Sequence, residues 1–183
     1  MSELEKYLFP SGTIPEIYKS TPIEKLVRYH NERLPFDFYD KAEIIIATCM
    51  DNRVNIRIPE KFAYVIRNGG ACIKYSNFHI SYAIAVGKIK YFCLIGHTDC
   101  GMVKLKERKQ IYINGIIENA GWNYKDAEDF FERNISIFEI GNEVLSVSNE
   151  VKRLIKEFPL LTVCPMLYRV EDNLLYFIKE QEI

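Results

Sequence analysis

"IIIATCMDNR", Ile44 to Arg53, is the stretch on which the fold turns. "EIIIATC" (43–49) is apolar continuously rather than alternately, which reads as a strand buried on both faces. It stops at a cysteine, with an acid two residues on and a base two beyond that. In open parallel sheets ligands bind just past the carboxyl ends of the strands, so chemistry at a strand tip marks a candidate site. A second stretch, "CLIGHTDCGM" (93–102), repeats the arrangement: "KYFCLIGH" (90–97) is a strand ending in His97, and a helix is expected from Cys100. Between them, "YVIRN" (64–68) is a short strand closed by the "NGG" turn at 68–70. From Ser76 a helix is expected, with Phe78, Tyr82, Ala85 and Val86 on one face and Gly87 as its stop. Strand, helix and strand within about 30 residues define a βαβ unit. The expected class is therefore α/β, a mainly parallel β-sheet flanked by helices.

Outside this unit, "TPIEKLVRYHNE" predicts a helix at 22–33, with Thr21 as N-cap, Pro22 at N1 and Glu24 at N3. Pro10, Pro15, Pro22 and Pro35 make 1–40 read as an N-terminal arm. The aromatic region 110–140 is hard to assign. "GNEVLSVSNEVKRLIKEF" (141–158) is amphipathic, with Val144, Leu145, Val147, Val151, Leu154, Ile155 and Phe158 on a broad apolar face. "LTVCPMLYRVEDNLLYFIKE" predicts two terminal strands around "EDN", with Pro165 favouring an edge position. A chain of 183 residues fits one domain, 1–183, with a proper core.

Composition excludes several classes. Apolar residues are 48% and charged residues 27%, an ordinary globular balance. Lys plus Arg number 24 against 25 for Asp plus Glu, so nothing favours nucleic acid or an anionic membrane as partner. No apolar run approaches the roughly 20 residues of a membrane span. The start, "MSELEKYLFPSG", lacks the basic segment of a secretory signal, and a cytoplasmic location is expected. Five cysteines without dense spacing argue for metal-binding, catalytic or buried thiols rather than a disulfide framework.

Cys49, His97 and Cys100 offer two thiolates and an imidazole, a donor set that suits Zn²⁺. A helix N-terminus at Cys100 would favour its thiolate. Three ligands leave a fourth position for water, as catalytic zinc requires. Asp51 can orient the resulting nucleophile, and Arg53 can hold that carboxylate ionised through a bidentate pair. Cys93, four residues before His97 on one strand, lies about 13 Å away at ~3.3 Å per residue and cannot share the metal. Cys72 stays open as a fourth ligand that would close the site.

"CMDNR" at 49–53, "VIRNGG" at 65–70 and "GHTDCGM" at 96–102 together resemble the signatures of the β-class carbonic anhydrases, the last resembling the short prokaryotic subgroup. The resemblance implies zinc on Cys49, His97 and Cys100, and an Asp51–Arg53 dyad. It implies reversible hydration of CO₂ to bicarbonate by a zinc-generated hydroxide, in a homodimer or higher homo-oligomer. Arg67, Gly69 and Gly70 are the expected substrate-binding residues, with a structural hydrogen-bonding role open for Arg67. The subgroup's R-N-A-G-G is replaced here by Arg67-Asn68-Gly69-Gly70-Ala71, and His79 stands near the place of a common arginine. An unperturbed pKa of ~6.5 would suit His79 to a proton shuttle; an ordinary helix position is the plainer reading. The aromatic segment around Tyr112, Trp122, Tyr124, Phe130, Phe131 and Phe138 is expected at a subunit interface. Hydrolysis of CS₂ or COS on the same zinc, and a non-catalytic zinc-thiolate protein, are the alternatives.

Overall fold

The computed structural model describes residues 4–179. Its centre is a five-stranded sheet formed by β1 (Ile44–Cys49), β2 (Ala63–Asn68), β3 (Tyr91–His97), β4 (Thr162–Arg169) and β5 (Leu174–Phe177). The spatial order is β2-β1-β3-β4-β5, with the first four parallel and β5 antiparallel to β4. Ile46 of β1 faces Val65 on one side and Cys93 on the other, while Cys93 faces Cys164. The expected parallel sheet is present, and every residue of β1 is buried.

Helices cover both faces, which is why β1 and β3 are apolar throughout. On one face Ile45, Ala47, Phe92, Leu94, Val163 and Leu167 pack with α2 (Asn77–Ala85) and α5 (Glu143–Glu157). On the other, Ile44, Ile46, Cys93, Ile95 and Met166 meet Ile23, Leu26 and Val27 of α1 (Pro22–Asn31). α1 starts as its sequence demands: the extended Thr21 accepts the Ile23 N–H at 3.2 Å, Pro22 follows, and Glu24 accepts the Ser20 N–H. Much of 4–40 thus lies on the chain's own sheet; Tyr18 stacks on Phe177 and Leu8 bridges to Ile178.

Several expectations are corrected. The α2 face read from Phe78, Tyr82, Ala85 and Val86 points outward, and Ile80 and Ala83 are the buried pair. This helix is apolar nearly all round, so its period does not say which side the sheet takes. Gly87 is not the left-handed residue after α2; Lys88 is, at φ +56°. Gly87 is required by space, since a Cβ there would lie 2.6 Å from the Ala83 carbonyl and 2.9 Å from the Tyr64 ring. Pro165 is not on an edge strand, because β4 lies between β3 and β5. It is tolerated because the β4–β5 register begins only at Met166, beyond which the Pro165 carbonyl accepts one bond from the Ile178 N–H. No helix starts at Cys100: a turn leads to a 3₁₀ segment at Leu105–Arg108 and then to α3 (Lys109–Ala120).

The unassigned region forms α3 and α4 (Tyr124–Phe138). Lys109 joins them through Glu128 (2.8 Å) and Glu132 (2.7 Å), and Tyr112 packs on Phe131 with ring centres 5.1 Å apart.

Candidate metal centre

Because β1 and β3 are parallel neighbours, their carboxyl ends deliver Cys49 and His97 to the same end of the sheet. The turn after β3 brings Cys100 back to join them. The ligand atoms of Cys49, His97 and Cys100 lie within 4.8 Å of one another, all on buried residues. His97 Nδ1 faces the Thr98 carbonyl at 2.9 Å, so Nδ1 carries the proton and Nε2 presents a lone pair. Nε2 is buried without a hydrogen-bond partner. An orphaned imidazole nitrogen between two thiols fits a soft-to-borderline metal ion, and the donor set is that of zinc.

The surroundings supply charge. Cys49 is pushed well below the ordinary thiol range, first by the hydrogen bond from the Cys100 thiol, against burial, and then by His97 and the Asp51 and Gly70 N–H groups. Cys100 is correspondingly pushed up, as the donor to that thiolate and by burial. The expected helix-terminus stabilisation of Cys100 is therefore replaced: its thiol takes the Met102 N–H and its own N–H reaches Glu143 Oε1 at 3.4 Å. Burial lowers the pKa of His97, but the Cys49 thiolate beside it, with the Thr98 carbonyl and Asp51, outweighs burial and the net direction is up.

Asp51 stands beside the cluster, its Oδ2 4.0 Å from His97 Nε2. Arg53 grips it with Nε on Oδ1 (3.0 Å) and Nη2 on Oδ2 (2.8 Å), while its backbone N–H adds a bond to Oδ1 at 2.9 Å. These bonds hold the Asp51 carboxyl down at about 2. The same guanidinium reaches Asp99, with Nη1 on Oδ2 at 2.7 Å and Nη2 on the carbonyl at 2.9 Å. Asp99 went unnoticed in the sequence although it sits inside "HTDCGM", because an acid in a turn is ordinary. Thr98 was missed for the same reason. Its hydroxyl donates to Glu171 (2.9 Å) and accepts the Val170 N–H (2.9 Å), tying the His97 turn to the end of β4.

The other candidates are distributed around this centre. Arg67 lies behind it, its guanidinium spanning the carbonyls of Cys49 (3.4 Å), Asp51 (3.5 Å) and Val54, so it braces the 49–54 loop. Gly69 and Gly70 back onto Met102; a Cβ on Gly70, at φ +64°, would sit 3.2 Å from the Met102 Cβ. Ala71 is buried at φ +55°, a left-handed conformation that glycine would adopt without strain. Cys72 is outside the ligand group, its thiol donating to the Ile137 carbonyl at 3.5 Å. His79 is exposed on α2 beside a cavity of about 270 Å³ shared with Tyr64, Val65 and Tyr82.

Fold and site together define a mainly parallel α/β protein carrying, at the sheet's carboxyl end, two cysteines and one histidine placed so that they could hold a metal. The family model for carbonic anhydrase matches residues 44–164, and the chain belongs to that family, in its β class. Among solved structures, a carbonic anhydrase from Glaciozyma antarctica is 19% identical, with a TM-score of 0.60 over 88% of this chain and 98% of that one. The β-carbonic anhydrase isoform I of Trichomonas vaginalis is 19% identical, with a TM-score of 0.59 over 99% and 100%. A carbon disulfide hydrolase in its apo form is 20% identical, with a TM-score of 0.55 over 88% and 87%. A search of the curated proteins finds no significant match.

Proposed function

We propose that this protein is a zinc-dependent carbonic anhydrase, a lyase that interconverts CO₂ with bicarbonate and a proton. The carrying observation is the orphaned His97 Nε2 between two thiols, 4.0 Å from a carboxylate that Arg53 holds ionised. Zinc on Cys49, His97 and Cys100 would supply a hydroxide near neutral pH by lowering the pKa of a water from ~15.7 toward ~7. Asp51, ionised throughout that range, accepts the hydrogen bond of the nucleophile and aims its lone pair at the carbon of CO₂. Arg53 keeps Asp51 in that pose. Arg67 and the Gly70 N–H maintain the Cys49 loop around it, and Gly69 and Gly70 border the substrate space.

The open edge of β2, where Tyr64 and Val65 are exposed beside Phe78 and Tyr82 of α2, supports assembly as a homodimer or higher homo-oligomer. The exposed Tyr124 and Phe130 extend that proposal to the α3–α4 hairpin. Five free thiols support a cytoplasmic setting. No helix among the described residues is long and apolar enough to cross a membrane.

The test is stopped-flow CO₂ hydration by zinc-loaded protein across pH 6.5–9, with Cys49→Ser as the blank. Activity rising with pH and absent from the blank supports the proposal; its absence with one zinc bound refutes it. Asp51→Asn should keep zinc and lose most of the activity. The likeness in fold to a carbon disulfide hydrolase favours CS₂ or COS as the second reading, tested by H₂S release. Cys72 stands outside the ligand group and donates to the Ile137 carbonyl, which weighs against it as the fourth ligand of a non-catalytic zinc-thiolate protein.

A further inference from the structure

We infer that Asp99 is a positioning residue: it anchors the far side of Arg53 and thereby keeps Asp51 turned away from the metal. The inference rests on the zinc reading above. Arg53 is 41% exposed on a flexible stem, and an ion pair of that kind contributes little by itself. Here the guanidinium is pinned from two sides. Asp51 accepts from Nε and Nη2 along one edge with its two carboxylate oxygens, and Asp99 accepts from Nη1 with its carboxylate and from Nη2 with its carbonyl.

The two acids come from different segments. Asp51 follows Cys49 at the end of β1, and Asp99 lies between His97 and Cys100 after β3. Arg53 therefore ties together the two chain segments that carry all three ligands. Asp99 adopts φ +55°, in a left-handed region that aspartate and asparagine tolerate better than most residues. In this conformation both its acceptors meet one guanidinium.

What the anchor controls is visible in one distance. Asp51 Oδ2 is already 4.0 Å from His97 Nε2, so a side-chain rotation carries it among the ligand atoms. Asp51 has two competing cations, Arg53 and the metal. Without the Asp99 carboxylate, Arg53 keeps Asp51 and the residue-99 carbonyl but loses the anchor on Nη1, and the balance moves toward the metal. A carboxylate in the fourth position excludes both water and added anions.

The experiment compares wild type with Asp99→Asn, which retains size and tolerance of the left-handed backbone but removes the charge. Asp99→Gly is the second variant; it relieves the backbone and removes the side chain. Both are loaded with Co²⁺ and titrated with thiocyanate by visible absorption, and zinc-loaded crystals are used to locate Asp51. Thiocyanate affinity is expected to fall roughly 10-fold in either variant, with Asp51 displaced from Arg53 onto the metal. CO₂ hydration should lose a similar factor in kcat. Unchanged thiocyanate affinity with Asp51 still paired to Arg53 in both variants would overturn the inference. The spectroscopic and crystallographic readouts do not require turnover, so wild type inactive toward CO₂ would refute the functional reading and leave this one to be judged separately.

Discussion

Gly96 is where the fold and the metal centre press on each other most directly. It precedes His97 on β3, and a Cβ there would lie 2.7 Å from Val147 Cγ2 and 3.6 Å from the Glu143 carbonyl. Carbon atoms pack at about 3.5–4.0 Å, so Gly96→Ala must push α5 or its valine back by about 1 Å. Overpacking of a buried site by one methyl costs roughly 1–3 kcal/mol. Val147→Ala alone removes two buried carbons, about 1.6 kcal/mol at ~0.8 per CH₂, plus a cavity contribution. In the double variant the new methyl occupies the space the valine leaves, so the penalties should not add. The coupling is expected to be at least about 1 kcal/mol in the stabilising direction. Urea unfolding followed by circular dichroism at fixed protein concentration measures it, with the denaturant slope as a check on the two-state assumption. Additivity within about 0.5 kcal/mol would refute the steric reasoning. Because Glu143 accepts the Cys100 N–H, Gly96→Ala alone should also weaken zinc binding, and Val147→Ala should restore it.

Three further outcomes are expected. His30 is buried, with Nδ1 accepting the Arg57 N–H at 3.0 Å and Nε2 on the Asn173 carbonyl at 2.9 Å, and burial lowers its pKa. A neutral imidazole is thus favoured in the native state, so its contribution is present above the unfolded pKa of ~6.5 and is lost as pH falls below it. Thermal melts from pH 7.5 to 5 should show a decline that His30→Gln flattens; parallel profiles would count against this. Gly87→Ala should cost about 1–3 kcal/mol through collision with the Ala83 carbonyl although φ is unremarkable, measurable as a shift in the urea midpoint. Zinc should raise the melting temperature of wild type, by about 2.7 kcal/mol of stability at 100 times its Kd, and leave Cys49→Ser unmoved. Equal shifts in both proteins would place the metal elsewhere.

Much of this architecture was legible because its signals are long or chemically unusual. β1 and β3 are unbroken apolar runs, and α5 carries a continuous stripe capped by Asn142, whose side chain accepts the Leu145 N–H at 3.0 Å. Cys49 and His97 stood out because both end apolar strands of one parallel sheet, and Cys100 because it follows His97 by three residues across a turn. What stayed hidden has local causes. α4 carries a buried stripe, Ala127, Phe131 and Ile135, but the exposed Tyr124 and Phe130 beside it obscure which face is inward, and α3 and α4 pair through Tyr112, Phe131 and Lys109, which no single segment displays. The outward face of α2 is as apolar as its inward one. Pro165 looks like an edge residue until the short β5 is seen to stop beside it. Asp99 and Thr98 act through partners at Arg53 and Glu171, and contacts at that separation leave no trace in local spacing.

The parallel order β2-β1-β3 also has a consequence for biogenesis. Cys49 leaves the ribosome about fifty residues before Cys100, an interval of about 3–10 s at usual rates of synthesis. For nearly all of that interval the nascent chain holds one thiol of the final set and neither His97 nor Cys100. β1 and β3 become neighbours only after β2 and α2 have been made and moved aside. A metal held by all three residues can therefore load only after Cys100 has been made, and a chain stalled between Cys49 and Cys100 carries a thiol without its ligand partners.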